Sequence, residues 1–272
     1  TGGKFDGVYG VLSGLEILRT LDDADYTTNA PLEVVSWTNE EGSRFTPPML
    51  ASGVFAGAFE RDFAYALEDC EGRKFGEELR HIGYRGRVKC GDHKLGAYFE
   101  LHIEQGPVLE AENQAIGVVT GVQSQSWYEI TVTGRESHAG STPMPLRQDA
   151  MVVCARIVEA THEVALNHAP LAVSTVGLVE VRPNSRNVIP GSVFFTVDLR
   201  HPEDAVLRRM EEEFRAAVDW AAGDMGLKVT VVNNWSSPSV KFDEACLGAV
   251  RTAAGDLGYR HRDIVSGAGH DA

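Results

Sequence analysis

The order of predicted elements between Gln123 and Trp235 limits the fold more than any other feature of the chain. Alternating apolar and polar residues over 128–133 predict a strand, and helical spacing follows over 146–167. Strands are predicted over 172–181 and 192–199, a second helix over 205–225 and a last strand over 228–233. Strand, helix, strand, strand, helix, strand is the split βαβ, ferredoxin-like order. It is complete in itself, so it is expected as an inserted domain, with Ser236-Ser237-Pro238 as its exit linker. The expected domain limits are 1–123, 124–235 and 236–272.

The flanking sequence reads differently. A helix is predicted over 8–21, with Val8, Val11, Leu12, Leu15 and Leu18 on one face. Apolar strands are predicted over 32–37 and 98–103, a charged helix over 60–80, a short helical turn over 107–113 and a helix over 242–257.

The acid pair Glu40-Glu41 stands directly behind the apolar run 32–37, and Gly42 lets the chain turn after it. Two adjacent carboxylates are costly to keep ionised in a closed cleft unless cations neutralise them. One can ligate a metal while its neighbour stays free to take a proton. Metal-assisted hydrolysis needs that division of labour. Asp6, Glu41 and His102 are the candidate metal ligands. Oxygen and imidazole donors without thiolate suit zinc, manganese, cobalt or nickel. The residues alone leave other readings open. An Asp before a helix also serves as an N-cap, and a His in a strand also serves as a hydrogen-bonded core residue.

The 272 residues carry 25 basic and 39 acidic side chains, a formal charge of −14. Nucleic acid and anionic membrane surfaces are therefore not expected partners. No apolar run reaches the length of a membrane span. Cys70, Cys90, Cys154 and Cys246 lack CxxC spacing and are expected as reduced, mostly packing thiols.

Four segments carry a resemblance. They are Gly-Gly-Lys-Phe-Asp-Gly (2–7), Trp-Thr-Asn-Glu-Glu-Gly-Ser-Arg-Phe (37–45), Glu-Leu-His-Ile-Glu-Gln-Gly (100–106) and Ser-His-Ala-Gly-Ser-Thr-Pro-Met (137–144). In order and in register, they resemble the N-carbamoyl-L-amino-acid hydrolase and allantoate amidohydrolase branch of the aminoacylase/carboxypeptidase-type dinuclear metallohydrolases. The resemblance covers essentially the whole chain.

It implies an α/β fold, with a zinc-exopeptidase-like catalytic domain and the ferredoxin-like α+β insert as lid and dimerisation domain. It implies a cytoplasmic homodimer that cleaves the carbamoyl C–N bond of N-carbamoyl-L-amino acids, small ureido acids, to amino acid, CO2 and NH3. Two divalent ions (Zn, Mn, Co or Ni) are implied. Asp6 would bridge them, Glu41 would hold one and His102 the other, and Glu40 would be the general base. His138 would polarise the carbonyl oxygen in the neighbouring subunit's site. Asn187 and Arg200 would grip the substrate carboxylate. Gln105 and the backbone at Gly269 would add ligand contacts, with His270 beside the site. Taken alone, His138 reads as a surface histidine, Asn187 as a loop amide and Arg200 as a surface charge.

The family's His-x-Asp motif before Gly-Gly is not in the sequence, nor is its late histidine after Gly-His-Asp-Ala. Each supplies a metal ligand in relatives. The 272-residue polypeptide alone is therefore expected to be metal-deficient and inactive, a segment of a longer chain. Alternatives are allantoate or ureidoglycolate hydrolysis, β-ureidopropionase activity, cleavage of peptides or acyl-amino acids, and a catalytically incomplete dimerisation fragment. Apolar Trp127 favours an amino-acid side chain over a second ureido group.

Overall fold

The computed structural model describes residues 4–92 and 94–272. Gly2 and Gly3 of the first motif lie outside the described residues. The chain forms two compact units. One comprises Thr1–Gly117, Gly248–His261 and Gly269–Ala272, the other Val118–Leu247 and Arg262–Ala268.

The first unit contains helices α1 (Val8–Asp23), α2 (Leu50–Ala56), α3 (Arg61–Ala66), α4 (Phe75–His81) and α5 (Val108–Ala111). The charged helix expected over 60–80 is two helices, α3 and α4. Between them Asp69 Oδ1 accepts from the backbone N–H groups of Glu71 and Arg73, both at 2.9 Å. Such an Asx-type turn competes with helix. Phe45, Leu50, Ala64 and Phe75 form a small core, with the Phe45 and Phe75 rings edge-on at 5.2 Å. The apolar stripe of α1 follows the predicted spacing, but none of its residues is buried.

The strands expected over 32–37 and 98–103 are not formed. Apolar alternation specifies a face to bury, whereas a strand also needs a paired edge. Other contacts tie these segments instead. Trp37 Nε1 donates to Tyr98 Oη at 3.0 Å. Helix α1 passes so close to residue 101 that a Cβ on Gly10 would lie 2.8 Å from the Leu101 carbonyl oxygen.

The second unit contains most of β1 (Ile116–Val122), then β2 (Ser124–Thr133), β3 (Ser137–His138), α6 (Ala150–Asn167), β4 (Val173–Thr175) and β5 (Val179–Arg182). These are followed by β6 (Val188–Ile189), β7 (Ser192–His201), α7 (Asp204–Met225), β8 (Lys228–Ser237) and β9 (Val240–Lys241). The chain leaves this unit within α8 (Glu244–Asp256) and returns to it in β10 (His261–Ser266). The main sheet has the order β4-β7-β2-β8, and β5 also pairs with β7. All these pairings are antiparallel. That is the ferredoxin-like sheet the element order predicts.

Strict alternation builds its core. Tyr128, Ile130 and Val132 of β2 and Val193, Phe195, Val197 and Leu199 of β7 are buried with Ile157 of α6 and Met210 and Phe214 of α7. The intervening residues of β2 and β7, including Trp127, Asp198 and Arg200, occupy the opposite sheet face. The unit extends past the expected 124–235 because β1 pairs with β9 and β10 in a small separate sheet. Its glycine-rich β1 sequence and two-residue β9 carry little strand signal.

Cys154 is core, as expected, but Cys70 and Cys90 are exposed and have no packing role. Among the described residues no helix is long and apolar enough to cross a membrane.

Candidate functional site

In the first unit the acid pair sits on a tightly wound turn. Asn39 (φ 59°) and Gly42 (φ 66°) flank it in left-handed conformations. The Asn39 side chain closes the turn, donating to the Phe45 carbonyl at 2.7 Å and accepting from its N–H at 3.4 Å. A Cβ on Gly42 would lie 2.6 Å from the Pro48 nitrogen, so only glycine fits this bend. Arg44 pins the turn from outside, with bonds to Asp69 at 2.9 Å and Glu78 at 2.7 Å.

Asp6 is not an N-cap. Helix α1 has no side-chain cap at its start. The Asp6 carboxylate turns instead to two residues of the third motif. Its Oδ1 lies 2.8 Å from His102 Nε2, and its Oδ2 accepts from Gln105 Nε2 at 2.8 Å. Gln105 has φ 52°, a sparsely populated conformation that here faces its amide toward Asp6. Glu104 secures this bend, accepting from the N–H groups of Val108 and Leu109 at 2.7 and 2.9 Å.

Nδ1 of His102 lies 2.8 Å from the Ile103 carbonyl oxygen. A carbonyl only accepts, so Nδ1 carries a proton. In the neutral ring, Nε2 then presents a lone pair to a carboxylate oxygen, which requires a proton or a cation between them. A histidine fixed by its outer nitrogen in this way is the usual state of a metal-ligating imidazole.

Behind this contact lies a set of half-buried acids. Glu100, His102 and His270 place one ligand atom each within 4.8 Å of one another, the one such group among the described residues. The His102 and His270 rings are 4.7 Å apart. His270 Nδ1 lies 3.7 Å from Glu100 Oε1. Glu100 Oε2 is buried without a hydrogen-bond partner. Ser52 donates its hydroxyl to Asp271. Burial, followed by the Asp271 charge, pushes the Glu100 carboxyl above its ordinary value. Burial also raises Asp271. Glu40 is raised too, by burial first and then by the charges of Asp271, Glu41 and Glu100. Burial lowers His270.

Three crowded carboxyls, one with an orphaned oxygen, and an imidazole lone pair facing a carboxylate form a donor set that fits divalent cations. The structure thus joins Asp6, His102 and Gln105, while Glu41 is exposed and, like Asp6, outside the group of Glu100, His102 and His270. Gly269 packs against Met49, whose methyl carbon would be 3.3 Å from an added Cβ. Glu100, Asp271 and Ser52 were not singled out from the sequence. Their significance arises from burial, which single residues in a motif do not signal.

In the second unit, β3 pairs with β6, placing His138 opposite Val188. The Asn187 carbonyl accepts from Ala139 N–H at 2.8 Å, so His138 and Asn187 are neighbours. The backbone N–H groups of Gly140 and Ser141 donate to His138 Nδ1 at 3.1 and 3.2 Å. The neutral ring therefore carries its proton on Nε2, as a hydrogen-bond donor. Arg147, not anticipated from sequence, holds this loop through the carbonyls of Ala139 (2.6 Å) and Thr142 (3.1 Å). Arg200 lies on β7, where Asp198 and the Gly267 carbonyl engage its guanidinium.

The sequence matches the family described as Peptidase family M20/M25/M40 over residues 2–272. It is 52% identical to an N-carbamoyl-L-amino-acid amidohydrolase of Rhizobium meliloti, over 100% of this chain and 65% of that protein. It is 33% identical to an allantoate amidohydrolase of Bacillus subtilis (strain 168), over 100% of this chain and 66% of that protein. The chain thus spans about two thirds of the length of these relatives. A crystal structure of a hydantoinase/carbamoylase family amidase from Burkholderia multivorans superposes with a TM-score of 0.96 at 57% identity, covering 100% of this chain and 66% of that one. Its matched motifs, its fold and these relatives together make this chain a member of peptidase family M20/M25/M40.

Proposed function

We propose that the protein carrying this chain is a metal-dependent amidohydrolase that cleaves the carbamoyl C–N bond of N-carbamoyl-L-amino acids, releasing amino acid, CO2 and NH3. The carrying observation is the 2.8 Å approach of Asp6 Oδ1 to His102 Nε2, in a set of acids that fits cations. The 52% identity to the Rhizobium meliloti amidohydrolase supports the choice of substrate.

Asp6, Glu41 and His102 would hold two divalent ions, which when bound polarise the scissile carbonyl and acidify a water molecule. Glu40, adjacent to Glu41 and held by the turn at Asn39 and Gly42, would take a proton from the attacking water and return it to the leaving nitrogen. Burial, then the neighbouring carboxylates, raises its pKa, which makes it a stronger base. His138, with its proton on Nε2, donates to the developing oxyanion. Arg200 and Asn187 would bind the substrate carboxylate, and Gln105 and the Gly269 backbone would add ligand contacts.

The second unit acts in this reading as a lid and as the contact between two subunits. The four cysteines, all free, suit a reducing cytoplasmic setting. The test is ammonia release by the metal-supplied protein at its natural length. The panel comprises N-carbamoyl-L-amino acids, allantoate, N-carbamoyl-β-alanine and N-acetyl-L-amino acids. Rapid turnover confined to allantoate, or to the N-acetyl compounds, would overturn the substrate assignment.

A further inference from the structure

The outward sheet face beside Arg200 carries three residues the proposed mechanism does not use. Trp127 on β2 lies directly opposite Trp235 on β8. The two indoles meet with centroids 5.1 Å apart, tilted by 48°. A β-bulge makes this pairing. Trp127 opposes Trp235 while Tyr128 opposes Asn233, so Asn234 is the extra residue. Trp127 remains 44% exposed, which is unusual for the largest apolar side chain on a sheet. On its other side Trp127 opposes Asp198, and Arg200 is the diagonal neighbour on the same face. Diagonal neighbours lie roughly 7–8 Å apart, within reach of long side chains.

The third residue is Gln125, directly opposite Arg200. It is only 7% exposed, yet its Oε1 is buried without a hydrogen-bond partner. A buried amide acceptor left unpaired is costly, and such groups call for a partner. The orphaned acceptor, the guanidinium and the open indole pair are therefore consecutive on one surface.

We infer that Gln125, Trp127 and Trp235 form a specificity subsite around Arg200 for N-acylated α-amino acids with aromatic or bulky apolar side chains. This deepens the proposed function and rests on Arg200 binding the substrate carboxylate. With the carboxylate on Arg200, the ligand's N–H donates to Gln125 Oε1 and its side chain lies against the indole pair. Aromatic contact with two indoles adds affinity that a glycine derivative cannot gain.

The test is calorimetric binding of N-carbamoyl-L-phenylalanine and N-carbamoylglycine to the metal-stripped protein at its natural length, where no turnover intervenes. The wild type is expected to bind the phenylalanine compound about tenfold or more tightly than the glycine compound. Trp127→Ala should cut that ratio about tenfold, and Trp235→Leu should cut it in the same direction, with far-UV circular dichroism confirming the fold of each. Gln125→Leu should weaken both ligands. Equal affinities in the wild type, no binding of either compound, or a ratio unchanged in both tryptophan variants would overturn the inference. Failure of the functional reading would look different: both ligands bind with the predicted ratio, yet the metal-loaded protein releases no ammonia.

Discussion

Asp198 holds Arg200 by the side edge of its guanidinium. Nε donates to both carboxylate oxygens at 2.9 and 3.0 Å, and Nη2 donates to Oδ2 at 2.6 Å. Nη1 donates to the Gly267 carbonyl. A guanidinium has five N–H donors, so one N–H on each of Nη1 and Nη2 remains beyond these bonds. That outer pair is a fork for a second carboxylate. Asp198 and Arg200 are two apart on one strand, so the clasp follows from the pleat.

Asp198 is therefore a positioning residue. Asp198→Ala in the protein at its natural length should raise KM for N-carbamoyl amino acids about tenfold, a loss of about 1.4 kcal/mol, with a smaller change in kcat. Asp198→Glu should restore part of the loss. Steady-state kinetics checks this, and an equal fall in kcat with KM unchanged would argue against positioning.

Glu40 takes the proton in the proposed chemistry and holds no ion. Glu40→Gln should lower kcat by about 10²–10⁴, the usual range for a general base, while bound metal stays at the wild-type level. Parallel metal analysis and kinetics check the separation.

Gly10 sets how closely α1 approaches the segment carrying His102. A Cβ there would press on the Leu101 carbonyl at 2.8 Å, and backbone cannot swing aside as a side chain can. Gly10→Ala should cost about 1–3 kcal/mol, the range for overpacking, and should weaken metal binding by displacing Asp6 from His102. Thermal unfolding and a metal titration are the two readouts.

Acid stability should depend on Asp243 and Asp204. Backbone N–H bonds from Cys246 and Ala245 lower the Asp243 pKa, and the Ser239 N–H lowers that of Asp204. Both fall below the ordinary 3.8. A carboxyl depressed on folding stabilises the protein fully above its unfolded pKa, and that contribution is lost as pH falls through the folded value. The contribution of these groups to the denaturation midpoint should be constant with pH near neutrality and should be lost below about pH 4. The Asp243→Asn, Asp204→Asn double variant should show a shallower acid decline.

Much of this architecture was legible in the sequence. Long periodic segments such as α6 and α7, and clean alternation such as 128–133 and 192–199, name both the element and its inward face. Residues 32–37 and 98–103 misled because alternation reports what must be buried, not which edge pairs. Strands β1 and β9 were missed because glycine and short length erase the signal, and β10 because its opening His261-Arg262-Asp263 shows no apolar alternation. At the candidate site, the motifs carried Asp6 and His102 to one another. Glu100, Asp271 and Asp198 matter through burial and cross-strand placement, which emerge only with tertiary structure.

The central claim is that Asp6 and His102 face one another in order to hold a cation. Elemental analysis of the purified protein at its natural length, after dialysis against trace-metal-free buffer, tests it most directly. Two divalent ions per chain are predicted for the wild type, with at least one lost in each of Asp6→Ala and His102→Ala while far-UV circular dichroism stays unchanged. Equal metal content in the wild type and both folded variants would contradict the account.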